Sequence, residues 1–182
     1  MIMTDEKLYQ AQQAIEKTMN FIRRTCRFTA HLRDEMHAGK KSETILTGEN
    51  NYIGLMAECW FGLRYCLPVD FTNKPGGDGG VDFRVGGRTI DVKGVSRETS
   101  LSYVWFPEPK RKHADVAVFV RYNLTFDWCV EMGWMSVDYI MENYNSQPSL
   151  NDKLARRIEV NDLLPLSDLE GWLPELTDGR CL

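Results

Sequence analysis

Two adjacent glycines, Gly86 and Gly87, separate two short stretches of alternating polarity, residues 81–85 and 88–93. A two-residue connection between antiparallel strands needs positive φ values, which glycine reaches at little cost. The spacing therefore predicts a β-hairpin, and a hairpin of this kind sets its own register. Val85 pairs with Arg88, Phe83 with Ile90 and Val81 with Val92, while Asp82 lies directly opposite Asp91. The pairs Val81/Val92 and Phe83/Ile90 form an apolar face ready to pack on a core, which supports the same register independently.

Directly opposed side chains stand about 4.5–5.5 Å apart at Cβ, and two carboxylates at that separation weaken a sheet unless something offsets their charge. A divalent cation would do so. Oxygen donors with no neighbouring His or Cys point to a hard ion, Mg2+ or Mn2+, rather than zinc. Lys93 shares the acidic face one pleat beyond Asp91, where its ammonium can hold a phosphate or a water beside the ion and stabilise the charge of a phosphoryl-transfer transition state. The chemistry expected of such a trio is phosphodiester hydrolysis. A plain solvated hairpin face is the alternative, because Asp and Lys are usually exposed.

Ahead of the hairpin, residues 75–80 (Pro-Gly-Gly-Asp-Gly-Gly) are too rich in glycine for regular structure. They are no phosphate-binding P-loop, since neither Gly-Lys-Ser nor Gly-Lys-Thr follows. Asp78 reads as a turn residue, with a metal ligand as the alternative. Further upstream, Thr47 can cap a helix through Ile53, Met56, Ala57, Trp60 and Phe61, with Gly54 and Ala57 allowing close approach to a sheet. That helix carries Glu58. At the N-terminus Leu8, Ala11, Ile15, Met19, Ile22 and Cys26 recur at helical spacing behind a cap at Thr4 or Asp5, and a second helical stretch runs through Leu32 and Met36 toward Gly39. Arg23, Arg24, Arg27 and Arg33 collect there, as a phosphate-contacting cluster or a solvated charged face.

Downstream, residues 101–106 read as a strand, 115–120 as a strand buried on both faces, and 126–134 as another strand. Ser136 can cap a short helix through Ile140 and Met141, and the tail from Arg157 mixes a strand with a short helix near Leu169. At 182 residues one α/β domain is expected over 1–182, made of an N-terminal helical extension (1–40), a catalytic core (46–135) and C-terminal elements (136–182).

The net charge of −4 argues against a protein that coats nucleic acid by bulk attraction, so any DNA contact must come from a local patch. Lys110, Arg111 and Lys112, followed by His113, are the candidate patch; Tyr103, Trp105 and Phe106 before them either stack on bases or simply belong to a strand. No apolar run reaches the roughly 20 residues of a membrane helix and no signal peptide opens the chain, so a cytoplasmic protein with no membrane partner is expected. Five scattered cysteines (Cys26, Cys59, Cys66, Cys129, Cys181) without a C-x-x-C pair suggest buried or idle thiols rather than a disulfide framework or zinc site. His31, His37 and His113 lack partners at the spacing of a triad or zinc site and take no catalytic role.

Glu58, then Val81-Asp82, then Asp91-Val92-Lys93 in strand-turn-strand context resembles the PD-(D/E)XK nuclease superfamily over roughly residues 48–122. Residues 79–83 also look like the approach to the hairpin in restriction-endonuclease-like and Mrr-like members, and 114–122 like the following core strand. Val81 stands where that superfamily often has a proline, one that is frequently missing. The resemblance implies a mixed central β-sheet flanked by helices, of restriction-endonuclease-like type. It implies that Asp82 and Asp91 ligate Mg2+ (with Mn2+ as a substitute), that the Val92 carbonyl adds a ligand, that Lys93 orients or activates the attacking water, and that Glu58 binds a metal or its water. The activity expected is Mg2+-dependent endonucleolytic hydrolysis of DNA, by a possible homodimer. A catalytically silent nucleic-acid- or protein-binding module of phage or mobile-element type is the alternative, and RNA as substrate stays open.

Overall fold

A computed structural model describes residues 5–37, 49–72, 80–96, 102–108, 114–123, 125, 128–149, 153–173 and 176. The first helix, α1 (Asp5–His37), is one continuous rod of 33 residues, where two helical stretches were expected. Nothing between the two stretches is Gly or Pro, so the backbone has no reason to stop. At about 1.5 Å per residue it is about 50 Å long. Among the described residues its apolar stripe is covered toward the C-terminal half, where Cys26 and Ala30 pack against Tyr52, Met56 and Cys59 of α2 (Glu49–Tyr65). Earlier on the same stripe, Ile15 is 63% exposed.

Helix α2 ends where Cys66 adopts a left-handed φ of 54° and Leu67 N–H returns to the Gly62 carbonyl at 2.8 Å, a Schellman-type stop. Gly62 is required there, because a Cβ would meet Val69 Cγ2 at 2.7 Å and the Leu67 carbonyl at 2.9 Å. Cys66 is disulfide-bonded, which corrects the expectation of idle thiols throughout; scattered spacing cannot reveal which cysteines a fold brings together.

The main sheet has the order β1 (Phe83–Val85), β2 (Arg88–Val95), β4 (Val116–Asn123), β5 (Trp128–Ser136). It is mixed, since β2 and β4 are parallel and both outer pairs antiparallel. As the apolar run predicts, Val116 to Val120 are completely buried. Strand β3 (Tyr103–Pro107) does not join this sheet. It pairs with β7 (Leu154–Glu159) in a separate three-stranded sheet whose far edge is β6 (Ser146–Pro148).

The chain is thus layered. On one face of the main sheet, Ala57, Phe61 and Tyr65 of α2 and Leu166 and Leu169 of α4 (Leu166–Trp172) cover Phe83, Ile90, Val92, Val116 and Val118. On the other, Val104, Phe106, Ile158 and Ile140 of α3 (Val137–Asn143) cover Ala117, Phe119 and Met135. Ser136 caps α3 as expected, accepting from Tyr139 N at 3.4 Å. Gly54 meets nothing within 4 Å, so it is not the point of close approach predicted for α2; that point is Gly94 of β2, whose added Cβ would stand 2.7 Å from the Ile53 carbonyl oxygen. No described helix is long and apolar enough to cross a membrane.

Candidate active site

The hairpin turns as its glycines predict, with φ of 53° at Gly86 and 76° at Gly87 and the pairs Val85/Arg88, Arg84/Thr89 and Phe83/Ile90. The regular ladder then stops one residue short of the expected Asp82/Asp91 pair. Asp82 N–H donates to the Ile90 carbonyl at 2.9 Å although Phe83 is the residue paired with Ile90, so two residues are set against one, as at a β-bulge. Val81 accordingly packs with the cluster on the opposite face from Phe83, Val85 and Val92, and the predicted Val81/Val92 pair does not form. The physical reason lies in the Asp82 side chain: its Oδ2 accepts the Val92 N–H at 2.6 Å, replacing a backbone carbonyl with a carboxylate in a short, charge-assisted bond. In a strand the N–H and C=O of one residue point the same way, so the Val92 carbonyl is also directed toward the Asp82 side of β2.

Asp91 and Lys93 do share a face. Their register partners are Ala117 and Phe119, which places both on the face covered by the second sheet. Asp91 is 5% exposed, and its Oδ2 lies 2.7 Å from Lys93 Nζ. A carboxylate so shielded is tolerated because a cation answers it. Asp82, Val92, Asp91 and Lys93 are therefore gathered at the open end of the β1/β2 hairpin. Glu58 is half-buried on α2, between Ala57, which faces the main sheet, and Cys59, which faces α1. Its helix lies across the other face of the sheet from Asp91.

No family model, characterised protein or solved structure matches this chain.

Among the described residues no group of three or more His, Cys, Asp and Glu side chains is placed to hold a metal ion. Mg2+ needs fewer, since it keeps several waters and is held through one or two carboxylates. The oxygen donors at this end of the hairpin are the Asp82 and Asp91 carboxylates and the Val92 carbonyl. Asp82 Oδ2 is engaged by the Val92 amide and Asp91 Oδ2 by Lys93.

Lys110, Arg111, Lys112, His113 and Asp78 lie outside the described residues. Phe106 is a core residue, 2% exposed, and so is removed from any base-stacking surface. Tyr103 and Trp105 point to the other side of β3, where their rings meet edge to face at 5.7 Å and the Arg157 guanidinium covers Tyr103 at 4.2 Å. In the arginine cluster, Arg27 lies over the Tyr52 ring at 5.5 Å and Arg23 Nη1 donates to Asn20 Oδ1 at 3.2 Å. His31 sits on the exposed surface of α1, 3.3 Å from Glu35.

Two polar clusters had no signal in the sequence. Asp115 Oδ2 accepts both the N–H and the hydroxyl of Thr89 at 2.8 Å, clasping the start of β4 to β2 behind Asp91. On the α2 side, Arg64 reaches Glu131 at 2.8 Å, and the Tyr65 hydroxyl donates to Glu170 at 3.0 Å, tying α2 to β5 and α4. Both join residues far apart in sequence, which periodicity cannot see.

Proposed function

We propose that the protein is a metal-dependent endonuclease that hydrolyses DNA phosphodiester bonds, with Asp82, Asp91, Val92 and Lys93 as its centre and a restriction-endonuclease-like, PD-(D/E)XK type of fold. The observation that carries this reading is the shielded Asp91–Lys93 pair, 2.7 Å apart, beside the Asp82 carboxylate that grips the neighbouring Val92 amide. Bound Mg2+ or Mn2+ would supply Lewis acidity toward a phosphoryl oxygen. Asp82 and Asp91 would hold the ion, with the Val92 carbonyl completing the protein donors. Lys93, kept in place by Asp91 before substrate arrives, would turn its ammonium to the scissile phosphate and stabilise the charge that grows there. The resemblance assigns Glu58 to the ion or its water, a role that its helix, across the other face of the sheet from Asp91, does not support; Lys110, Arg111 and Lys112 are assigned the grip on the DNA backbone. A single such site cuts one strand at a time, so cutting both strands evenly calls for a homodimer.

The test is cleavage of supercoiled, linear, branched and single-stranded DNA across a Mg2+ and Mn2+ titration, with Lys93→Ala beside the wild type. Cleavage that needs the ion and disappears in the variant is the expected result. Equal background in both proteins on every DNA form would sink the catalytic reading. One observation favours a silent binding module instead: an oxygen of each carboxylate is already satisfied within the protein. Binding of DNA or a protein that survives EDTA and Asp91→Ala, without cleavage, would select that second reading.

A further inference from the structure

The seam between α1 and α2 contains two free thiols in near contact. Cys26 is 0% and Cys59 3% exposed, and their sulfurs stand 3.5 Å apart. They lie in the middle of the surface by which α1 is held, flanked by Ala30, Tyr52 and Met56 and bordered by the hydrogen bond from Asn51 Nδ2 to Asp34 Oδ1 at 2.8 Å. Among the described elements α1 packs mainly on α2. Whatever happens at these two sulfurs therefore decides how firmly the long helix is attached.

We propose that Cys26 and Cys59 form a redox-sensitive staple: a small-molecule disulfide oxidises the pair to an intramolecular disulfide that locks α1 onto α2. A disulfide has an S–S length of about 2.05 Å, so the sulfurs must close by about 1.5 Å, a distance within reach of small side-chain rotations. In the first step one cysteine thiolate attacks the reagent disulfide, forming a mixed disulfide and releasing one reagent thiolate. The second cysteine thiolate then attacks the protein sulfur of that mixed disulfide and releases the other. Two electrons pass from the cysteines to the reagent, and the two cysteine protons end on the two reagent thiols.

The closed seam protects the pair. Cys59 is held in its neutral thiol form, first by its hydrogen bond with Cys26 and then by burial, and a thiol reacts as its thiolate. Oxidation therefore proceeds through moments when α1 lifts from α2. Once made, the bond joins positions 33 residues apart and restricts the unfolded chain as well as the seam.

This inference is independent of the nuclease reading, because its readout is the bond itself. The full-length protein is incubated under native conditions with oxidised glutathione, its remaining thiols are alkylated, and peptides are mapped without reduction. The expected product is a monomer in which the Cys26 peptide is joined to the Cys59 peptide, in the wild type and equally in Cys129→Ser. Its thermal midpoint should rise by about 5–10 °C over that of the untreated protein. Cys26→Ala and Cys59→Ala should lose both the link and the shift. If either variant fails to fold, the wild-type and Cys129→Ser peptide maps still decide. The proposal is overturned if Cys26 and Cys59 stay alkylatable, carry separate glutathione adducts, or join only in denaturant.

Discussion

Lys93 Nζ lies 2.7 Å from Asp91 Oδ2 across one pleat of β2, with the Asp91 side chain 7% exposed and that of Lys93 30%. The carboxylate is thus much the drier partner. Replacing Lys93 with alanine takes a cation from a shielded anion, at a cost of about 1–3 kcal/mol, visible as a lower urea midpoint at neutral pH. On the proposed function the same change lowers metal-dependent cleavage by about 100-fold or more, in line with the removal of one charge-stabilising donor. Lys93→Arg should recover much of the stability and little of the activity, because a planar guanidinium does not reproduce a compact ammonium.

Metal binding can be read without any DNA. An ion that binds the native state alone raises its stability by about 2.7 kcal/mol at a concentration 100 times its dissociation constant. Mg2+ should therefore raise the thermal midpoint of the wild type and leave that of Asp91→Asn unchanged. Equal shifts in both proteins would place any bound ion elsewhere.

Gly94 sets the distance between β2 and α2. A methyl group there would meet the Ile53 carbonyl oxygen at 2.7 Å and its carbon at 3.0 Å, both backbone atoms that can yield only by moving the helix. Gly94→Ala is expected to cost about 1–3 kcal/mol by overpacking. It should also reduce activity beyond what its folded fraction explains, because the shifted strand carries Lys93. Chemical denaturation and a cleavage assay on the folded protein separate the two effects.

Burial, with a contribution from the bond to Glu170, pushes the Tyr65 hydroxyl up to about 12. A phenol whose folded value is raised keeps its proton longer in the native state than in the unfolded chain. Its stabilising share is complete below about pH 10 and is lost as pH rises toward 12. About 1–2 kcal/mol should disappear over that window in the wild type. Tyr65→Phe is expected to start less stable, having lost the hydrogen bond to Glu170, and to show a shallower decline when urea midpoints at pH 9 and pH 11 are compared.

Local chemistry was enough to specify several features from the sequence alone. Gly86 and Gly87 fix the turn and the Phe83/Ile90 register because a two-residue hairpin demands their conformations. The run read at 115–120 announces a buried strand, fully buried from Val116 to Val120, Ser136 announces the cap of α3, and strand alternation puts Asp91 and Lys93 on one face. Other features depended on partners distant in the chain. Asp82 leaves the ladder because its carboxylate wins the Val92 amide, a competition between side chain and backbone that pairing rules do not weigh. Strand β3 joins β7 rather than β2, and Asp115 clasps Thr89, through contacts formed only once remote segments meet. Cys26 finds Cys59 in the same way. Periodicity encodes which face of an element is apolar; it carries no information about which other element will cover that face, and at Ile15 of α1 the described fold leaves it open.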